Sequence, residues 1–215
     1  MLVVGAGALL IRSHYAPPAL ALSSGSSATA SGGFAGSWTI TAGSQAGYRA
    51  REQFINQPAP TEAVARTSHV TGGLLVSKAG SSLMVSGIHV RVDLSTLQSQ
   101  DTYATYQVYQ RDFFVRTIYL HSDTMPYADF KGDAITLSPA AAPGPVNVTM
   151  NGTLTLHGVT KRVTAQLQVQ MNGAHVEVVG TIKVDMRDFA IDPPTIGFTR
   201  AEPGVTIEFH LLLAR

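Results

Sequence analysis

The 215-residue chain contains no cysteine. Disulfides, thiol nucleophiles and thiolate metal sites are therefore excluded, while the compartment stays open, because an exported domain with a sufficient core needs no disulfide. Charge is scarce as well: 13% of residues are charged and the formal net charge is +1. A chain so weakly charged has no broad field to steer nucleic acid, which is not an expected partner. Local catalytic signatures are missing. No lysine follows a glycine, so no Walker-type phosphate loop exists; Gly5-Ala-Gly7 lacks the third glycine of a dinucleotide fingerprint; no Gly-x-Ser-x-Gly elbow occurs. The seven histidines form neither His-x-His nor His-Glu-x-x-His, so a metal site would have to be assembled from distant strands. No metal or cofactor is expected, and the chain reads as a non-enzyme. The apolar run at residues 2–11 stops at Arg12, short of the roughly 20 residues a membrane-spanning helix needs.

What is present is period two. Val146, Val148, Met150, Leu154 and Leu156 alternate with polar residues, and so do Val163, Ala165, Leu167, Val169 and Met171. Such alternation marks antiparallel strands with one apolar and one wet face. The connector from His157 to Arg162 contains Gly158, which can supply a positive φ, so the pair reads as a long hairpin. Asn172-Gly173 is a second hairpin signal, leading into a strand with Val176, Val178, Ile182 and Val184 on one face.

Along the chain, residues 1–12 read as a signal or anchor segment whose start lies upstream, and residues 13–35 as a flexible Ser/Gly/Ala/Pro linker. The folded domain is expected over residues 36–215. Strands are expected at 37–41, 48–55, 73–77, 83–92, 128–137 and, after Pro203-Gly204, at 205–213. Alternation lapses between residues 94 and 115, where a short helix is placed near residues 104–114. About eight or nine strands with frequent turns give an all-β class, a sandwich or an up-and-down barrel. Asn147-Val-Thr149 and Asn151-Gly-Thr153 match the glycosylation pattern, which their strand setting makes a coincidence.

Gly152-Thr-Leu-Thr-Leu-His-Gly-Val-Thr-Lys-Arg-Val163 resembles the signature hairpin of the YceI-like family of lipid- and polyisoprenoid-binding proteins. Gly36-Ser-Trp-Thr-Ile40, Ala46-Gly-Tyr-Arg-Ala-Arg-Glu52, Arg111-Asp-Phe-Phe114, Met125-Pro-Tyr-Ala-Asp-Phe130 and Arg187-Asp-Phe-Ala-Ile191 fit the same pattern in order. The Tyr- and Gln-rich residues 102–110 and the Pro/Ala loop at 139–145 depart from it. The resemblance implies an elongated, antiparallel, lipocalin-like β-barrel of about eight strands with one short helix beside its mouth. It also implies an isoprenoid-type lipid, a polyisoprenoid or isoprenoid quinone, as ligand.

The candidate lining follows from strand parity. Val163, Ala165, Leu167 and Val169 should point inward with Val148, Met150 and Leu154, joined by Val176, Val178 and Phe209 from later strands. A strand as long as Val146–Leu156 spans about 36 Å, enough to lie along an extended tail. Tyr48, Glu52 and Phe54 share a face on an earlier strand, and Phe113 stands on the expected helix. A buried Glu52 would need a partner; both a lipid-head anchor and an ion pair with Arg91 or Arg111 satisfy that need. Arg111-Asp112 reads as a helix cap and plug, and His157 as a side chain bonding turn backbone. The expected function is non-enzymatic binding of an apolar lipid outside the cytoplasm. The alternative is a structural, stress-related β-domain with a filled core. The membrane, through the N-terminal segment, and a second copy of the chain stand as further partners.

Overall fold

The computed structural model describes residues 14–23, 34–55, 57–103, 108–138, 144–172 and 175–215. The apolar run at 2–11, residues 104–107 of the expected helix, residues 139–143 of the Pro/Ala loop and Gly173 lie outside the described residues. The strands are β1 (His14–Tyr15), β2 (Gly36–Ile40), β3 (Gln45–Phe54), β4 (Thr61–Thr67), β5 (Val70–Ala79), β6 (Ser82–Asp93), β7 (Gln98–Ser99) and β8 (Thr102–Tyr103). After helix α1 (Val108–Phe114) and a π-helical turn (Val115–Tyr119) come β9 (Tyr127–Gly132), β10 (Ile135–Leu137), β11 (Val146–Leu156) and β12 (Val159–Asn172). The chain ends with β13 (His175–Asp185), a 3-10 turn (Met186–Phe189), β14 (Thr195–Ile196) and β15 (Thr199–Ala214).

Eight antiparallel strands close into a barrel in the order β13-β12-β11-β9-β6-β5-β2-β15 and back to β13. The expected fold class is the one found. Closure removes the sheet edges that would otherwise stand unpaired. The barrel is not uniform along its axis, and β15 is the reason. One edge of β15 pairs with β13 from Gly204 to Leu213. Its other edge is shared: Leu213 and Ala214 hold β2, while residues from Thr199 to His210 hold β3. The wall therefore closes at one end through β2 and splays at the other into β3, β4 and β7.

The closed end is filled. Trp38, Ile88, Met150, Leu167 and Leu211 are buried in one cluster, and Ala165 there has 0% exposure. The long hairpin β11–β12 builds this end in the register its alternation predicts, from Val146↔Val169 to Leu156↔Val159. Its connector is tighter than expected, just His157 and Gly158, at φ 50 and 73. Two successive positive φ values are what a two-residue hairpin turn needs to follow the strand twist. On β11, a Cβ at Gly152 would stand 2.7 Å from the Phe130 ring and 2.5 Å from the Lys131 carbonyl oxygen. Glycine there lets the Phe130 ring lie against the strand.

Several elements differ from expectation; the strand expected over residues 128–137 is two, β9 and β10. β4 was not anticipated: its inward Ala63 and Ala65 are small, and alanine is a weak strand former. β15 starts at Thr199 rather than at residue 205, because a register shift between Ala201 and Val205 absorbs Pro203-Gly204. Residues 14–23, inside the expected flexible linker, lie on the outer face of the barrel. Arg49 and Arg66 donate to the Pro17 and Pro18 carbonyls, both at 2.6 Å, and Glu177 accepts from the Ser23 amide at 2.7 Å. Under this strap Glu208, 1% exposed, is bound by Arg49 Nε at 2.7 Å and Arg66 Nε at 2.8 Å. A buried carboxylate on an outward strand face is tolerable because two guanidinium groups pair it.

Ala165 sits where the core has no slack. Ala165→Trp is expected to destabilise the domain by about 1–3 kcal/mol or more through overpacking, read as a lowered denaturation midpoint. Wild-type stability in the variant would mean that the closed end holds free space.

Candidate functional site

At the splayed end, inward positions carry small side chains. Ala46, Gly47 and Ala50 on β3, Ala63 on β4, Ala128 on β9 and Ala201 on β15 all face one cavity. Its remaining walls include Val92, Leu94, Leu97, Leu156, Val205 and Ile207, with Val115, Tyr119 and Leu120 closing it from the helical segment. Free volume exists here because small residues oppose each other across the barrel, leaving about 140 Å³ unfilled. That is the size of apolar cavities that stay dry and take up a benzene-sized group.

The polar side of the cavity is organised by Arg111, only 4% exposed. Its Nη1 donates to Asp101 Oδ2 at 3.0 Å and to Glu52 Oε2 at 3.4 Å. Nη2 donates to Ser99 Oγ at 2.6 Å and to Asp101 Oδ1. Asp101 Oδ1 also accepts from the Val64 amide at 3.0 Å, which fixes the carboxylate against β4. His14 of β1 lies 3.7 Å from Asp101 Oδ2. Next along α1, Asp112 accepts from the Ser99 amide at 3.0 Å, tying the helix to β7. Arg111 and Asp112 thus anchor α1 across the splayed end; they lie within the helix and do not cap it as expected, and Phe113 and Phe114 face outward.

Burial raises the Glu52 carboxyl above its ordinary 4.5, and the nearby Arg111 charge only partly offsets this. Burial likewise pushes the Tyr48 phenol well above its usual value. Desolvation acts to lower Arg111, but its hydrogen bond to Asp101 and the neighbouring acids prevail and hold the guanidinium charged. Two residues lining this cavity each hold a buried side-chain atom with no hydrogen-bond partner among the described residues, Arg111 Nε and Thr199 Oγ1; the third such atom, Ser77 Oγ, lies elsewhere. A buried donor left unpaired costs free energy.

Of the residues singled out in the sequence, Tyr48 and Glu52 line this cavity. Phe54, two residues on, is buried against Phe198 with ring centroids 6.1 Å apart. Phe113 faces outward, 57% exposed. Val148, Met150, Ala165 and Leu167 belong to the filled core of the closed end, and Val163, Val169, Val176, Val178 and Phe209 pack against it. Leu154 joins a separate cluster with Phe189 and Ile191. The ion-pair partner of Glu52 is Arg111; Arg91 pairs with Asp129 instead, at 2.7 Å. His157 bonds the Phe189 carbonyl oxygen at 3.1 Å and His121 at 3.2 Å, so it braces its turn against the 3-10 segment. No group of three or more potential metal ligands occurs among the described residues.

Sequence reasoning missed the alanines. The available signal was Ala46 and Ala50 on the same parity as Tyr48 and Glu52, a strand whose inward face is too small to fill a barrel.

Two solved structures share the fold. A polyisoprenoid binding domain from Saccharophagus degradans superposes with a TM-score of 0.56 at 14% identity, covering 82% of this chain and 97% of that one. BcnA of Burkholderia cenocepacia gives 0.52 at 20% identity, covering 78% and 95%. Among curated protein sequences none matches the chain. The family model of the YceI-like domain matches residues 38–213.

The raised Glu52 pKa makes stability depend on pH with a definite sign. The folded state holds this proton more tightly than the unfolded chain, so the associated stability is present below pH 4.5 and is lost as pH rises through the folded pKa. Glu52→Gln, which cannot ionise, should lose less stability over that rise than the wild type does. Denaturant melts from pH 4.5 to neutrality check this. A wild type that gains stability relative to the variant over this range would mean that attraction to Arg111 outweighs burial.

Proposed function

The chain belongs to the YceI-like domain family, and on that footing we propose that it is a non-enzymatic carrier of an apolar, isoprenoid-type lipid. The lipid sits in the cavity behind α1, with its polar end toward Arg111, Glu52 and Thr199. The observation that carries this reading is the composition of the cavity: an apolar chamber whose lining includes the buried polar residues Arg111, Glu52 and Thr199. Ligand sites for apolar molecules have this make-up, a greasy lining with a few convergent polar groups. Arg111 is already balanced by Asp101 and partly by Glu52, so the site favours a neutral oxygen-bearing head over a phosphate. The isoprenoid class comes from the polyisoprenoid binding named for the Saccharophagus degradans domain.

The cavity at rest takes about one isoprene-sized group. A longer chain enters by displacing the helical wall, and the π-helical turn at Val115–Tyr119 is a fitting place for it to yield, since such turns recur at functional sites. We place the working domain outside the cytoplasm, on the strength of the apolar residues 2–11 and the polar tract that follows them. The filled closed end favours a second reading, a structural β-domain without ligand.

Organic extraction of the purified full chain followed by lipid mass spectrometry separates the two. The carrier reading expects an isoprenoid in the extract, and at least about tenfold less from Ala50→Trp, whose indole fills the chamber. An extract free of isoprenoid favours the structural reading, and wild-type lipid content in Ala50→Trp would mean that the lipid is held elsewhere than in this chamber.

A further inference from the structure

We propose that the outer face of α1 and its π-helical continuation is a membrane-docking surface, through which the cavity exchanges lipid with a bilayer. This rests on the lipid-carrier reading above. The segment from Val108 to Tyr119 carries apolar side chains on both sides. Arg111, Val115 and Tyr119 recur every four residues and line the cavity. The opposite side presents Tyr109, Phe113, Phe114 and Ile118, exposed by 64%, 57%, 38% and 54%. A helix at the surface of a globular domain normally turns a polar face to water. Here one layer of backbone separates an apolar chamber from an apolar exterior patch.

Three observations select a bilayer as the occupant. The first is charge. The acid of this segment, Asp112, has both carboxylate oxygens engaged by the Ser99 amide, at 3.0 and 3.1 Å, and Arg116 donates to the Ser95 and Leu97 carbonyls. With Arg111 and Arg116 against the single acid Asp112, the charge of residues 108–119 does not oppose an anionic leaflet. The second is chemistry: tyrosine and phenylalanine beside aliphatic side chains are what helices lying in the membrane interface present.

The third is where the chain enters. Strand β1 pairs His14 with Tyr103 and Tyr15 with Thr102, and His14 lies 3.7 Å from the Asp101 that holds Arg111. The apolar residues 2–11 precede β1 by two residues, Arg12 and Ser13, so three steps of chain, about 11 Å at most, join them to His14. An apolar tether that meets the fold beside α1 sets this end of the barrel, and not the closed end, against the lipid.

The test uses the full chain and vesicles of phosphatidylethanolamine and phosphatidylglycerol. Phe114→Asp with Ile118→Asp removes apolar surface from the patch. Leu75→Asp with Met84→Asp makes the same exchange at exposed positions of β5 and β6. Cosedimentation with vesicles is expected to fall about tenfold or more in the first variant and to stay at the wild-type level in the second. Transfer of radiolabelled farnesol from vesicles to the protein should slow in parallel, while loading from detergent micelles stays intact.

Equal cosedimentation of the patch variant and the wild type would overturn the proposal and leave vesicle binding to residues 2–11. A wild type that ignores vesicles but forms a dimer broken by the patch substitutions would overturn it in favour of a second copy. Failure of the wild type to load farnesol even from micelles would sink the carrier reading itself, a result distinct from either of these.

Discussion

The arrangement of the splayed end depends on one buried charge. A guanidinium taken out of water is tolerated only where acids and hydrogen bonds replace its hydration. Arg111 meets that condition by binding helix α1 to β3, β4 and β7, strands whose own pairing already sets them side by side. Glu52 comes from β3, Ser99 from β7, and Asp101 follows β7 while its carboxylate also binds the backbone of β4 at Val64. The helix carrying Arg111 is thereby held over an opening that strand pairing alone would leave uncovered. Because the pairing is fully desolvated, its geometry is stringent. The same desolvation keeps Glu52 reluctant to ionise.

The barrel divides its labour along its axis. At the closed end, branched and aromatic residues from eight strands interdigitate, and burial there supplies stability of the ordinary hydrophobic kind. At the splayed end the inward faces of β3 and β4 carry alanines, which contribute little burial but leave room. A domain in which one end is rigid and filled can afford a chamber at the other. The unpartnered Arg111 Nε and Thr199 Oγ1 belong to residues that line that chamber, as expected if stability is given up locally for binding.

Much of the fold could be read from the sequence, because period two is unambiguous where strands are long. β11, β12 and β13 are legible from Val148, Leu167 and Val178, and the turn from the glycine after His157. The helix is legible only as a lapse in alternation, and its π-helical continuation leaves no mark in residue types. Less of the site could be read. Alternation tells which side chains point inward but not whether they meet, so Val148 and Leu167 looked as suited to lining a cavity as Tyr48 did. What decides is volume across the barrel, which depends on residues distant in sequence, such as Ala50, Ala128 and Ala201. The docked strap was hidden for a similar reason: Glu208 and Glu177 fall on the wet parity, and nothing local says that residues 14–23 cover them.

The central claim is that lipid enters the splayed end and leaves the closed end untouched. Methyl-resolved NMR of the full chain, titrated with farnesol in micelles, tests it most directly. The account predicts shifts at Val92, Leu97, Val115 and Ile207 around the cavity, and none at Val148, Leu167 or Leu211. Shifts concentrated at Val148 and Leu167, with the cavity methyls silent, would contradict it.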